Sequence, residues 1–390
     1  MQEKNEKIQK FFHKNWYTYQ KKKWKATYTM YKNYILMHMD TPVFKCIFDD
    51  TYFIRITEMY NISHVPISCV KNNHILPKKI NKWFLLRQIP THRDNLSNLL
   101  TNKDTATFML ENLAISAFDT YWLKPEENKE TWQEINPHKK IYFKKPKYTA
   151  NATLNGKLEK YWIQNPFQTP YFTKISKPEL IQQIYNEYIA SILCKQLNIN
   201  ATTYTLKEES NSVVCFPNIQ QNQDFISAYE IIQSQEIPQA GDDRNIKFYK
   251  TMLEKHNINS QEAINNMLLA DIIMRNEDRH FSNFGIIRNA NTNEWVAQAP
   301  LFDFGNSLWF DSKPNLEEVR NKMNNHMMSD DIKWIRNIAS EKLDIIHDFP
   351  KLVEKTLSAS KLPSEHIEIT CIATYARTNM ILNAIVGFEK

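Results

Sequence analysis

Apolar residues recur along this chain with two different periods, and the change from one to the other marks out its elements. Ala263, Ile264, Met267, Leu268 and Ile272 stand three and four positions apart, which predicts a buried helix over 261–274. Ile181, Ile184, Tyr185, Tyr188, Ile192 and Leu193 form a second helical stripe. Shorter β-branched and aromatic runs read as strands. Val43 to Ile56 predicts a hairpin turning at Asp49-Asp50, and Tyr171 to Ile175 a strand with Lys174 pointing inward. Ser212 to Pro217 reads as a strand running into a break. Gly285 to Ile287 and Trp295 to Ala297 read as two strands joined by a turn at Asn289 to Asn293. Further helices are expected near 78–100, 105–118, 315–328, 330–347, 350–358 and 365–386. The stretch 219–260 is mixed, with a loop over Gln235 to Asp243.

Composition narrows the class. With 390 residues the chain can bury a large core and hold two or three subdomains. Cys46, Cys69, Cys194, Cys215 and Cys371 are scattered without a Cys-x-x-Cys pair, which argues against a disulfide framework or a zinc site and for a reducing compartment. No apolar run approaches membrane-spanning length and the N-terminus is polar and lysine-rich, so a soluble, cytoplasmic protein is expected. A net charge of +6 is mild and does not by itself imply nucleic acid. Most of the excess lies in residues 1–40, where Lys21-Lys22-Lys23-Trp24-Lys25 sits among Trp16, Tyr17, Tyr19, Tyr28 and Tyr31. Such interleaving can grip a nucleic-acid backbone, or cover an apolar surface while the ammonium groups stay in water. So many aromatics suit a covered surface better than a free tail. Direct nucleic-acid binding is therefore not expected.

The chemistry concentrates between Asp271 and Gly305. Asp278 precedes Asn283 by five positions, and Asp303 opens an Asp-Phe-Gly triplet twenty residues further on. Phosphoryl transfer needs one carboxylate to orient and deprotonate a hydroxyl. It needs a second carboxylate and an amide oxygen to hold Mg²⁺ against the phosphates. A loop of the form Asp-x-x-x-x-Asn places the base and one metal ligand on a single turn. A hairpin from Ile286 to Phe302 then returns Asp303 to the same cleft, with Pro300 favouring an extended entry. Either motif alone would more often be a capped turn; both together, in this order, point to a kinase. His280 reads as a scaffold hydrogen-bonder more than as a ligand or base.

Upstream, Lys174 has the form of the lysine that contacts the α- and β-phosphates. Glu187, thirteen residues later on a helix, has the form of its ion-pair partner. The strand ending at Cys215-Phe216-Pro217 is where a hinge between two lobes would meet adenine through backbone groups.

The motif Asn276-x-Asp278-x-His280-x-x-Asn283-Phe284-Gly285, followed by Ala299-Pro300-Leu301-Phe302-Asp303-Phe304-Gly305, resembles the HipA-like serine/threonine kinases of bacteria. More distantly it is similar to the phosphatidylinositol 3/4-kinases. The resemblance covers 150–310 well and 40–145 loosely. It implies an α+β, bilobal protein-kinase-like fold with a mixed N-terminal lobe, a helical C-terminal lobe and an extra N-terminal subdomain. The corresponding layout is a basic aromatic segment over 1–40, a subdomain over 41–146, a nucleotide-binding lobe over 147–217 and a catalytic lobe over 218–390. The segment Thr153-Leu154-Asn155-Gly156-Lys157-Leu158-Glu159-Lys160 resembles the family's phosphate-covering loop, with Thr153 in the place of an autophosphorylated serine. It has one glycine where the family has several, and Asn155-Gly156 also reads as a hairpin turn.

On this resemblance Asp278 is the base, Asn283 and Asp303 are the metal ligands, and Lys174 held by Glu187 contacts phosphate. Thr153, Asn155, Gly156, Lys157, Cys215, Phe216 and His280 surround the nucleotide. The implied cofactors are ATP and Mg²⁺. The implied partners are a protein substrate with a Ser or Thr acceptor, a translation enzyme among the candidates, and a DNA-binding antitoxin. A lipid kinase would use the same triad but should carry a basic, membrane-facing loop after Gly305, whereas Asn306 to Asn315 holds Asp311 and a single lysine, Lys313. A nucleotide-binding module without catalysis would be expected to lack one of Asp278, Asn283 and Asp303.

Overall fold

The computed structural model describes residues 31–49, 52–71, 74–141, 146–166, 168–207, 210–215, 222–235, 242–311 and 340–386. It is a mixed α and β chain with three main antiparallel sheets. The first has the spatial order Tyr52–Met59, Thr41–Asp49, Tyr31–His38, Tyr121–Pro125. The second runs Glu159–Asn165, Gln168–Ile175, Ser212–Cys215, Tyr204–Lys207. The third is Gln223–Ser227, Gly285–Asn289, Trp295–Gln298.

Among the described residues two main apolar cores serve these layers, besides a smaller cluster around Met37, Trp122 and Trp132. The larger takes in the second and third sheets together with the helices Gln182–Gln196, Ser260–Met274, Ser340–Ser358 and Ser364–Val386. The other lies between the first sheet and the helix Pro77–Arg87, where Phe48, Phe53, Trp83 and Phe84 stack edge to face and flat. Each large side chain buried here contributes roughly 1.5–3 kcal/mol.

A polar network joins the first sheet to the third. His38 Nε2 lies 2.9 Å from Asp224 Oδ2, and His38 Nδ1 lies 2.7 Å from His64 Nδ1. Arg288 donates to Asp224 at 2.7 Å and to the Tyr121 hydroxyl at 2.9 Å, while the Thr120 N–H and hydroxyl both donate to the other Asp224 oxygen. Burial opposes the charge of Asp224, but His38 and Arg288 outweigh it and hold the carboxyl far below its usual range.

Several expectations need correction. Residues 31–38 are a strand rather than part of a basic segment, and residues 1–30 lie outside the described ones. The helix expected over 78–100 stops at Arg87, ahead of Pro90, and Leu96–Leu100 is a separate short helix. The helix expected over 105–118 ends at Glu111, because Leu113 and Ala114 take left-handed backbone with φ of 55° and 49°.

Among the described residues no strand leads directly into Asn155-Gly156, so those residues are not a hairpin turn; Ala150–Thr153 is a 3₁₀ turn and the real hairpin connects Asn165 to Gln168. Within 219–260 a strand and the helices Ala228–Gln233 and Asp242–Lys255 appear, the last taking in only Asp242 and Asp243 of the expected loop, whose residues 236–241 lie outside the described ones. Ser340–Ser358 continues through Pro350 instead of restarting there. A mid-helix proline costs about 3 kcal/mol, and the buried row Ile346, Phe349, Val353 and Leu357 outweighs it. The helix expected over 315–328 and the break at Pro217 fall outside the described residues.

Candidate active site

The site forms where the end of one helix, a loop and a strand meet the polar side of another helix. Ser260–Met274 stops at Arg275, whose φ of 51° turns the chain out of the helix. The next loop folds on its own side chains. Asn276 donates to Asp271 Oδ1 at 2.8 Å, the Asp278 N–H donates to Asn276 Oδ1 at 3.2 Å, and Asn283 Nδ2 donates to the Asp278 carbonyl at 3.2 Å.

Arg279 fixes this loop to its surroundings. Its Nε and Nη2 fork onto the Asp271 carboxylate at 2.9–3.2 Å, and its Nη1 reaches the carbonyls of Asn283 and Phe302 at 2.9 and 2.6 Å. Both partners of the ion pair are buried. Burial opposes the guanidinium charge, but Asp271 outweighs it and the pKa rises. One arginine thus ties the helix end, the loop and the approach to Asp303 together.

The strand pairing that ends at Leu301 delivers Asp303. Leu301 bridges Ala201 in parallel, and Asp303 itself takes φ 63°, which turns its side chain back into the cleft instead of along the chain. There Lys174 Nζ lies 2.8 Å from Asp303 Oδ1 and also pairs with Glu187. Burial works against the lysine's charge, yet Asp303 and Glu187 hold its pKa well above the ordinary value. Asp303 keeps 41% of its side-chain surface open to the cleft. Burial would raise its pKa, but Lys174 and Lys160 push it far down, so it is ionised. Glu187 is raised by burial, opposed by Lys174.

The segment after Asp303 is laid along one face of the helix Gln182–Gln196. Glu187 accepts the Phe304 N–H at 3.0 Å, and Asn186 donates to the carbonyls of Gly305 and Ser307 at 2.9 and 2.7 Å. Gln183 donates to Asn306 Oδ1 at 2.6 Å, and Asn306 Nδ2 in turn holds Asp278 Oδ2 at 2.7 Å. Asp278 itself is exposed.

Lys174, Asn283 and Asp303 border a cleft of ≈ 700 Å³, a volume suited to a nucleotide with room beyond it, whereas Asp278, Asn306 and Glu187 do not line it. Phe172, Cys215, Ile287 and Phe302 give it an apolar end. Lys174, Asn283, His280 and Asp303 give it a polar one, and Thr153, Asn155 and Gly156 border it from above. His280 is exposed, its Nδ1 accepting the Ser282 N–H at 3.3 Å. The Thr153 hydroxyl is buried and donates to the carbonyls of Ile115 and Ala150 at 2.9 and 3.2 Å.

The cleft-facing lysine of this loop is Lys160; Lys157 instead turns its carbonyl to the Asp94 N–H at 2.9 Å. Lys160 has no hydrogen-bond or ion-pair partner among the described residues, and burial with Lys174 nearby pushes its pKa down to about 7. Phe216 lies outside the described residues.

Sequence reasoning passed over Lys160, Arg279 and Asn306, and on the polar side of the Gln182–Gln196 helix it singled out Glu187 alone. The signal for the polar side was present: Gln182, Gln183, Asn186 and Glu187 fall at helical spacing, and all four are buried.

No protein-family model matches the chain, and no curated protein does. Among solved structures it is similar to a proinflammatory kinase, CtkA, of Helicobacter pylori, at 15% identity and a TM-score of 0.45, over 60% of this chain and 92% of that one. It is also similar to HipA of Shewanella oneidensis MR-1, solved as a toxin–antitoxin complex with HipB and operator DNA. That match has 12% identity and a TM-score of 0.46, over 91% of this chain and 97% of that one. The functional argument rests on the geometry of the site.

Proposed function

We propose that this protein is an ATP- and Mg²⁺-dependent kinase of the HipA-like type that phosphorylates a Ser or Thr hydroxyl of a protein. The observation that carries the reading is the double ion pair of Lys174 with Glu187 and Asp303, on which the loop holding Asp278 and Asn283 converges. A lysine balanced between two carboxylates is pre-set to receive polyphosphate. In this reading the second sheet with its helix is one lobe, the helices after Ser227 are the other, and the adenine ring takes the apolar end of the cleft.

Asp278 is then the group that orients and accepts the acceptor hydroxyl's proton, and Asn306 keeps its carboxylate in one rotamer. Asn283 and Asp303 offer an amide oxygen and a carboxylate, the hard donors that Mg²⁺ favours when the remaining positions are water and phosphate. When bound, the ion neutralises charge on the phosphate oxygens. Lys174 and Lys160 add positive charge on the same side, where the transferred group becomes most anionic.

Self-modification at Thr153 belongs to the same proposal, with one structural condition. The hydroxyl must first leave the carbonyls of Ile115 and Ala150. A phosphate there would repel nucleotide phosphates and turn the enzyme down. A cytoplasmic protein acceptor and a DNA-binding antitoxin as partner are proposed by analogy with the HipA family. No helix among the described residues is long and apolar enough to cross a membrane.

The test is transfer from radiolabelled Mg·ATP, with protein acceptors, phosphoinositide vesicles and the protein itself as substrates, comparing wild type with Asp303→Asn. Label on protein, lost in the variant, is the expected result. Label on lipid alone would replace the reading by a lipid kinase. ATP binding without transfer to any acceptor would replace it by a nucleotide-binding module.

A further inference from the structure

The loop above the cleft is anchored from outside its own lobe. Asn112 accepts the Thr149 N–H at 2.9 Å, and the Ile115 carbonyl accepts the Thr153 hydroxyl at 2.9 Å. Arg93 donates through Nη2 to the Leu154 carbonyl, the Asp94 N–H donates to the Lys157 carbonyl at 2.9 Å, and Asn95 Nδ2 donates to Glu159. Asp94 also pairs with Lys177 at 2.7 Å, beyond the strand that carries Lys174. Three consecutive residues of the N-terminal unit therefore hold the whole length of the loop from 154 to 159.

The direction of these bonds matters more than their number. In a trans peptide the C=O and the next N–H point opposite ways. Turning the Leu154 carbonyl toward Arg93 aims the Asn155 N–H away from Arg93, and turning the Lys157 carbonyl toward Asp94 does the same for the Leu158 N–H. A loop that is to cradle an anion must present amides to it and keep carbonyl oxygens out of the way. This loop has a single glycine to help, Gly156 at φ 97°, so an external hold replaces the conformational freedom that a glycine-rich loop would have.

Arg93 shows what this arrangement sacrifices. It is 4% exposed, and its Nε and Nη1 have no partner among the described residues. Burial pushes its pKa down to about 10. A buried guanidinium with two unmade hydrogen bonds is costly for a fold to keep, and its one hydrogen bond among the described residues goes to the loop.

Resting on the nucleotide reading given above, we infer that Arg93, with Asp94 and Asn95, positions the phosphate-binding amides of the 154–159 loop, so that the N-terminal unit is a working part of the nucleotide site. These are positioning residues: none of the three borders the cleft.

Calorimetric titration of the full chain with a Mg²⁺-loaded, non-hydrolysable ATP analogue and, separately, with adenosine tests the inference. Arg93→Met is expected to weaken binding of the analogue by about tenfold, the loss of one good hydrogen bond, and to leave adenosine affinity unchanged. Arg93→Lys keeps a donor and recovers part of the loss.

Because Arg93 is buried, Asn95→Gly is the second variant. It is exposed, tolerates the left-handed φ of 56°, and should weaken the analogue severalfold but not adenosine. Equal losses for both ligands would make the strap a merely structural contact and overturn the inference. So would an unchanged analogue affinity in Asn95→Gly together with a folded, unaffected Arg93→Met. A wild-type chain that binds neither ligand would remove the nucleotide reading itself.

Discussion

Lys160 and Lys174 stand directly opposite one another on adjacent strands, and of the two only Lys174 forms ion pairs with carboxylates. Like charges in register destabilise a sheet, and burial adds to this, leaving Lys160 with a pKa near 7 instead of 10.5. Bound polyphosphate would supply the missing counter-charge and raise that pKa again. Binding of Mg·ATP near pH 8 should therefore take up a proton. With the free-state pKa near 7, affinity is greatest below that pH and falls as pH rises above it. Titrations in buffers of different ionisation enthalpy measure the uptake, and Lys160→Met is expected to abolish it. Uptake unchanged in that variant would assign the proton to another group.

Asp303→Asn and Asp278→Asn each remove a charge with little change of shape. Transfer should fall by at least about a hundredfold in either variant, while the melting temperature stays close to wild type. Near-native turnover in one of them would end the role given to that residue.

Asn306 touches Asp278 on one side and Gln183 on the other. Asn306→Ala frees the Asp278 carboxylate to rotate without touching the apolar end of the cleft. A fall in kcat of about tenfold with KM for ATP held is expected, since orientation and not nucleotide binding is lost. A change confined to KM would place Asn306 in nucleotide binding instead.

Arg279→Met leaves Asp271 as a buried carboxylate without its counter-ion. Breaking such a pair costs about 3–5 kcal/mol, and the carbonyls of Asn283 and Phe302 lose a donor as well. Urea unfolding should show the loss. Arg279→Lys should restore only part of it, because an ammonium cannot reproduce the fork.

His64 is a pH-sensitive point away from the cleft. Burial, then His38 and Arg288, lower its pKa, so the folded protein favours the neutral ring. A depressed folded pKa means stability is complete above the ordinary histidine value of 6.5 and is lost as pH falls through the folded one. Thermal unfolding from pH 7.5 to 5 should show the decline, and His64→Asn should flatten it. An unchanged slope would trace the decline to other groups.

The elements around the site were largely legible because they carry strong local patterns. The helix at 260–274 has a clean apolar repeat, and strand Lys174, helix Glu187 and hairpin 285–298 fell where expected. What stayed hidden depends on distant partners. Nothing near Arg279 says that it will bond Asp271 and Phe302 at once, and nothing near Lys160 says which lysine of the loop turns inward. The helix boundaries at Arg87 and Glu111 were missed for a different reason: apolar spacing continued past them, while Pro90 and the left-handed backbone at Leu113 and Ala114 ended the helices. Propensity gave way to turn chemistry at both.

The network around His38 has a consequence for how the chain comes off the ribosome. His38 is among the first described residues made, yet its carboxylate partner Asp224 follows 186 positions later, and Arg288, 167 positions after Tyr121, later still. Until then His38 Nε2 and the Tyr121 hydroxyl, both on the first sheet, lack the Asp224 and Arg288 partners they have in the finished fold. Contacts of such separation close late and slowly, so the first sheet remains an unfinished surface throughout synthesis of the cleft. Chaperone dependence and aggregation of nascent fragments should accordingly concentrate on chains that end before Arg288.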